Sequence, residues 1–327
     1  MVLFVDYFDG STIGLILSTC LIFCSEFQWL ILDLSEVEQH MLSVYQLNKY
    51  SSLPKEKNLF EITENKHLSY DNKVDFEKWP SKGKIEFHDI TMKYHENESP
   101  VLKNLNFNIE SRHKIGIVGR TGAGKSSIIS ALFRLTEYTG VIIIDDVDTK
   151  TLTLHDLRKK ISIIPQDPVL FSGTIRNNLD PFDEYSDHEI WKALKEANLE
   201  KTVENMNMVL KSVISNSGSN FSVGQKQLIC LARAILRKNK ILVLDEATAN
   251  CDPQTDELIQ KTIRSVFSNC TILTIAHRLN TIMDSDKILV LDAGEMREYD
   301  TPTNLKNKND SLFNSMIKAV DKINIVY

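Results

Sequence analysis

Apolar residues along this chain fall into three patterns, each pointing to a different kind of element. From Gly10 to Ser25 the run GSTIGLILSTCLIFCS carries no charge, and after Glu26 it resumes as FQWLIL. The span is about 23 residues with a single acid, and about 20 apolar residues cross a bilayer as a helix. A secretory signal peptide opens on basic residues, whereas this chain opens with Asp6 and Asp9 and no early Lys or Arg. A buried core helix is the other reading of such a run. The expectation adopted is a transmembrane helix, with Glu26 facing a bundle or a water-filled cavity. Lys49, Lys55 and Lys57 follow it and nothing basic precedes it, which puts the C-terminal side in the cytosol.

Residues 34 to 50 repeat apolar positions at three- and four-residue steps: Leu34, Val37, Met41, Val44, Leu47. That spacing predicts an amphipathic connecting helix, with Ser35 and Glu38 as a capping box at its start. Residues 1–50 are therefore expected to hold a transmembrane helix and its cytoplasmic extension. Residues 51–83 are charged, carry Pro54 and Pro80 and show no sustained period, so they read as a linker.

From Lys84 the pattern turns αβ. Strand-like apolar runs occur at 85–87, 114–118, 141–144, 161–164, 241–244, 271–275 and 287–291, many of them separated by helical stretches. This predicts a mainly parallel sheet covered by helices, over residues 84–321. Between Phe171 and Asn220 the strand signal gives way to helix and loop patterns, which predicts a helical subdomain over about 171–238.

Composition narrows the classes. With 327 residues, 42% hydrophobic and 25% charged, the chain has surface enough for a real core, and wholesale disorder and fibrous folds are excluded. A net charge of -6 argues against a nucleic-acid partner held by bulk positive charge. The five cysteines are scattered and form no Cys-x-x-Cys pair, which fits a reducing compartment better than a disulfide scaffold or a zinc site. Glycine is scarce, 12 in all, yet Gly116, Gly119, Gly122 and Gly124 crowd one stretch. Backbone freedom is needed there.

That stretch, KIGIVGRTGAGKSSIIS, is an apolar strand, a glycine loop and a helix start. Gly119, Gly124, Lys125 and Ser126 fit G-x-x-x-x-G-K-[ST], the loop whose backbone N–H groups close on phosphate oxygens. The helix N-terminus adds its positive dipole end. Lys125 reaches β- and γ-phosphates and the Ser126 hydroxyl ligates Mg²⁺. Arg120, Thr121, Gly122, Ala123 and Ser127 complete the cradle. Farther on, ILVLDE is a buried strand ending in two acids. Asp245 is the candidate to hold Mg²⁺ and Glu246 the candidate base for an attacking water. A kinase, a GTPase and a motor all remain open at this point.

The stretch Phe221-Ser222-Val223-Gly224-Gln225 precedes a long apolar helix and makes Ser222 a natural N-cap. It is a second anion site, separate from the first. One nucleotide needs one cradle, so the second suits the nucleotide of a partner domain.

From about Ile85 to Ala319 the chain resembles a nucleotide-binding domain of the ATP-binding-cassette superfamily. The stretches VGRTGAGKSSIISALFRL, SNFSVGQKQLICLARAIL and DEATANCDPQTDELIQKTIR resemble the second such domain of the multidrug-resistance-associated C-subfamily exporters, and within them the fourth-member type. Residues 10–50 resemble those exporters' last transmembrane helix and its extension. The resemblance implies a P-loop α/β fold with a mainly parallel sheet, an antiparallel β part and a helical subdomain. By the same resemblance Tyr94 stacks on adenine and Gln166 touches Mg²⁺ and the attacking water. His277 contacts the γ-phosphate, and Asp252 belongs to the loop crossing between paired domains. Ser222, Val223, Gly224 and Gln225 serve the partner's ATP. Read without the family, Tyr94 packs on a sheet, Gln166 sits in a proline turn, Asp252 caps a helix before Pro253 and His277 is an ordinary loop residue.

Three positions depart from the pattern: Val223 stands where the wider superfamily has glycine, Asn216 where relatives carry an acid, and Cys251 where a small or apolar residue is usual. The resulting expectation is an ATPase that uses ATP and Mg²⁺ to power export of small organic anions. Its partners are a second nucleotide-binding domain and further transmembrane helices, with no nucleic acid. It sits in the plasma membrane with the cassette in the cytoplasm. Two alternatives remain: a truncated fragment that binds ATP without transport, and a soluble cassette ATPase.

Overall fold

In the computed structural model the described residues are 9–53, 78–206, 208–215, 218–247, 251–276, 282–308 and 310–324. The chain divides into two units, one carrying the first helix and one carrying every other element.

The first unit is a single helix, α1 (Gly10–Ser51), 42 residues long. This corrects the expectation of two helices with a boundary at Ser35. Between Gly14 and Ser51 the sequence has neither Gly nor Pro, so nothing interrupts the ladder. Ser35 and Glu38 lie inside the helix, where an N-cap has no free N–H to accept from. At ~1.5 Å per residue α1 runs about 63 Å, roughly twice the ~30 Å hydrocarbon core of a bilayer. Its apolar first half is long enough to cross a membrane. Leu21, Phe23 and Trp29 are more than 60% exposed. Such a surface aggregates in water. The full chain is therefore expected to stay in solution only with detergent, while a chain beginning at Lys78 stays soluble without it. Purification of the full chain as a stable monomer in plain buffer would overturn this.

The second unit opens with β1 (Ile85–Met92), β2 (Leu102–Ile109), β3 (Lys114–Gly119), α2 (Lys125–Leu132), β4 (Tyr138–Ile144) and β5 (Val147–Asp148). Next come α3 (Leu154–Lys159), β6 (Ile161–Ile164), β7 (Gly173–Thr174), α4 (Ile175–Leu179), α5 (Asp187–Glu196), α6 (Glu200–Glu204) and β8 (Val213–Ile214). The rest is α7 (Val223–Arg237), β9 (Ile241–Asp245), α8 (Pro253–Val266), β10 (Thr271–Ile275), β11 (Lys287–Asp292), β12 (Glu295–Asp300), α9 (Pro302–Asn307) and α10 (Leu312–Asn324).

Six strands form the central sheet in the order β12-β11-β3-β10-β9-β6, parallel except at the β12 edge. Alternate residues of each central strand enter different cores, as the two-residue side-chain period requires. Ile241 and Val243 of β9 enter one core, while Leu242 and Leu244 enter another. In β11, Leu289 and Leu291 join the first core and Ile288 and Val290 a third. The first core lies against an antiparallel sheet, β2-β1-β4-β5, and α2. The second is shared with α4–α7, the helical region, which the sequence pattern anticipated. Among the described residues of this unit, Trp79 is buried and donates its Nε1–H to the Ile144 carbonyl at 2.9 Å.

Candidate functional site

Strands β3, β10, β9 and β6 end together on one edge: Ile117, Ile275 and Asp245 are in register across three of them, and Ile164 pairs with Leu244. Loops leaving the carboxyl edge of a parallel sheet are where such folds bind ligands. Every described candidate of the phosphate loop, the acidic pair and Gln166 leaves from this edge.

The phosphate loop leaves β3 at Gly119 and enters α2 at Lys125. Two glycines are imposed by space. A Cβ at Gly119 would run into the Leu291 carbonyl, and one at Gly124, where φ is +99°, would lie 2.9 Å from Leu102 Cδ2. Ala123 N–H donates to the Arg120 carbonyl at 3.0 Å, closing the loop on itself. The first N–H groups of α2 have no carbonyl a turn earlier to take them, which is the geometry that receives an anion. Lys125 is buried, and its Nζ donates to the carbonyls of Gly119 at 2.9 Å and Arg120 at 3.3 Å. Its charge is thus held inside the loop rather than splayed into solvent. Ser126 is exposed beside it, and Ser127 is buried. Thr121 and Gly122 are exposed at the loop tip.

Tyr94 lies beyond the end of β1, not on the sheet. Its hydroxyl shares a 3.0 Å hydrogen bond with Ser127 Oγ, while the residue stays 46% exposed. This fastens a partly exposed tyrosine beside the phosphate loop.

Asp245 ends β9, and Glu246 follows in a left-handed conformation with φ +49°. That region is sparsely used by side chains other than Asn, Asp and Gly, and such outliers gather at functional sites. Glu246 N–H donates to the Ile275 carbonyl at 3.1 Å, which holds the turn. Burial lifts the Asp245 carboxyl above its ordinary range, the Glu246 charge adds to the lift, and Lys125 opposes it. A carboxyl lifted by folding supports stability below the ordinary carboxylate range and loses that support as pH rises through its folded value. Without nucleotide, Asp245→Asn should therefore melt above the parent at pH 7, and the difference should close as pH falls below about 4. Thermal scans across that range test it. An Asp245→Asn protein melting at or below the parent at pH 7 would refute the assignment.

Gln166 lies in the loop after β6. Its backbone is held by a residue the sequence reading passed over: Gln227, buried on α7, donates its Nε2–H to the carbonyls of Pro165 at 3.0 Å and Gln166 at 2.9 Å. Its Oε1 has no hydrogen-bond partner among the described residues. A signal existed. Gln227 opens the buried run Gln227–Ala232 of α7, and a lone amide among buried apolar residues demands partners. Arg233, on the same helix, donates to the Val169 carbonyl at 2.8 Å and the Asn178 carbonyl at 2.6 Å, fixing the rest of that loop.

Ser222 is the N-cap of α7 with a full capping box: its Oγ accepts from Gln225 N–H at 3.2 Å and Gln225 Oε1 accepts from Ser222 N–H at 3.0 Å. Ser222 and Val223 face solvent, whereas Gly224 is buried. Valine at 223 thus projects outward and asks nothing of the packing. Asp252 caps α8 ahead of Pro253, accepting from Thr255 N–H at 3.0 Å. Cys251 is buried in the helical-side core. His277 and Asn216 lie outside the described residues.

A family model described as "ABC transporter" matches residues 102–249. The chain is 52% identical over 314 residues to ATP-binding cassette sub-family C member 4 of Homo sapiens, covering 96% of this chain and 23% of that protein. It is 50% identical over 312 residues to the probable multidrug resistance-associated protein lethal(2)03659 of Drosophila melanogaster, covering 94% and 22%. Among solved structures, a bacterial Atm1-family ABC exporter with ATP bound superposes with a TM-score of 0.69 at 34% identity, covering 73% of this chain and 42% of that one. The chain spans less than a quarter of the length of these curated relatives.

Proposed function

We propose that this chain, matched by the ABC transporter family model over residues 102–249 and 52% identical to a sub-family C member over 96% of its length, belongs to that family, carries its ATP-binding domain and hydrolyses ATP to drive export through a membrane pore. The observation that carries the reading is the phosphate loop, with Lys125 buried inside it, emerging on the same sheet edge as Asp245 and Glu246.

ATP enters with its adenine against the partly exposed Tyr94 and its phosphates against the N–H groups of the loop and α2. Lys125 turns from the loop carbonyls toward the β- and γ-phosphates. Mg²⁺ fits the donors at hand, because the exposed Ser126 hydroxyl, the Asp245 carboxylate and the Gln166 amide are all hard oxygen donors. Mg²⁺, when bound, neutralises charge on the phosphate oxygens. Glu246 orients a water, takes its proton as the oxygen attacks the γ-phosphorus, and ADP leaves with inorganic phosphate as the second product. His277 is assigned to the γ-phosphate by resemblance.

Ser222 to Gln225 serve a nucleotide bound by a second nucleotide-binding domain, reached across the loop of Asp252. The outward-facing Ser222 and Val223 support this, since α7 offers its capped N-terminus to solvent. Further transmembrane helices complete the pathway around α1, the cassette lies on the cytoplasmic side of the plasma membrane, and the cargo is small organic anions. Because each site is completed by a second domain, specific ATPase activity should rise with protein concentration. Ser222→Arg should abolish that rise, lowering turnover at high concentration by about tenfold or more, and leave ATP binding within about twofold. Specific activity independent of concentration would reject the paired site.

A further inference from the structure

We propose that Thr255 is a positioning residue that ties the interdomain loop at Asp252 to the first turn of α7, so that the place of Asp252 sets where Ser222 is presented. The proposal rests on the paired-site reading above.

Gly224 is buried in the first turn of α7, and its backbone is not left-handed, so its conformation is open to any residue. What excludes a side chain is Thr255 on α8. A Cβ at Gly224 would lie 2.8 Å from Thr255 Cγ2, 3.1 Å from its Oγ1 and 3.3 Å from its Cβ. A flexible side chain would swing away from so close a neighbour. Thr255 has little freedom to do so, because a β-branched side chain is stiff at χ1 and this one is held at two points. Its Oγ1 donates to Asp252 Oδ1 at 2.8 Å, and its backbone N–H donates to Asp252 Oδ2 at 3.0 Å. Both carboxylate oxygens of Asp252 are thus bonded to the residue that presses on Gly224. These bonds also hold the Asp252 carboxyl below its ordinary range.

The two helix starts therefore meet without slack. On one side Asp252 caps α8 and locks the Thr255 rotamer. On the other, the Ser222–Gln225 capping box makes the first turn of α7 rigid around Gly224. A partner domain that shifts Asp252 would move the Thr255 methyl against Gly224, and the capped first turn, being rigid, would move as a unit and carry Ser222 with it. Substrate-binding loops in one half of a pair would in this way be set by contact with the other half.

Two measurements on the full chain in detergent decide it. In hydrogen exchange without nucleotide, Thr255→Gly and Asp252→Ala should each speed exchange across residues 221–226 by about tenfold, because the turn loses its backing. Unchanged exchange there overturns the proposal whether or not the chain pairs. In ATP turnover, Gly224→Ala should fall by about tenfold or more, and adding Thr255→Gly, which removes the Cβ as well, should restore it to within about threefold of Thr255→Gly alone. A double variant as slow as Gly224→Ala means that the Cβ obstructs something other than Thr255 and overturns the proposal. Should Gly224→Ala fail to fold, recovery of folded protein in the double variant is the same rescue, and failure to recover is the same refutation. Concentration-independent turnover by the parent would reject the paired site instead, with the exchange measurement still deciding the contact.

Discussion

Lys125→Ala is expected to remove ATP binding and turnover together. The side chain is buried within its own loop, and its Nζ bridges the carbonyls of Gly119 and Arg120. Two things are lost on truncation. Without the ammonium, two carbonyls at the tip of β3 lose their donor and the loop loses its brace. With nucleotide present, the phosphates lose one or two charge-assisted bonds, each worth about 1.5–3 kcal/mol. That corresponds to a fall in affinity on the order of 10²-fold. Lys125→Arg should not rescue, because a planar fork does not fit a cradle built around one compact ammonium. Titration with a fluorescent ATP analogue checks binding, and phosphate release checks turnover. A Lys125→Ala protein that bound ATP within about threefold of the parent would take the phosphate loop out of nucleotide binding.

The strand, turn and helix that carry the candidate phosphate loop could be read from sequence because the signal is local. A strand, a glycine turn and a helix start occupy one stretch from Lys114 to Leu132, and each declares itself by residue type. The central strands were legible for a similar reason: β9, β10 and β11 carry Ile, Leu and Val on both faces because both faces are buried. Elements at the margin of the sheets left no such mark. Strand β2 buries Leu102, Leu105, Phe107 and Ile109, but a register shift against β1 breaks the alternation that would reveal it. Strand β12, EMREYD, is a half-buried edge, and β7 and β8 are two residues each, too short to have a period. The boundary expected inside α1 failed for the opposite reason. An exposed helix keeps its apolar spacing past the point where its environment changes, so a new pattern at Leu34 does not mean a new helix.

The site divides along the same line. Ser222 and Asp252 were recognisable as caps because a cap is a short-range device. Gln227 and Thr255 were not, since their work is done on residues far away in the chain. Gln227 holds a loop 61 residues earlier. Thr255 presses on a glycine in a different helix. Nothing in the spacing of either one announces its contact. The left-handed turn at Glu246 is likewise invisible in the sequence, where DE after an apolar run is an ordinary strand end.

That turn is the reason Glu246→Gln should separate chemistry from binding. Glu246 stands one residue past the strand, turned out of the extended path and tethered by its own N–H to the β10 carbonyl of Ile275. Its backbone is therefore held by β10 whatever the side chain carries, and the amide keeps both shape and position. Binding should survive, and it should tighten if anything, because a negative charge near the γ-phosphate is gone and the lift on the Asp245 carboxyl is reduced. What disappears is the acceptor for the water's proton, and loss of a general base costs on the order of 10²-fold or more in turnover. ATP should then persist between paired cassettes. With ATP and Mg²⁺, Glu246→Gln should elute from size exclusion in detergent at twice the parent mass, and ADP should not produce that shift. Asp245→Asn supplies the contrast, since in the proposed site it removes a cation ligand rather than the base and should weaken Mg²⁺-dependent nucleotide binding itself. A Glu246→Gln protein that hydrolysed ATP within about threefold of the parent would remove Glu246 from the reaction and leave the water to another group on the same edge.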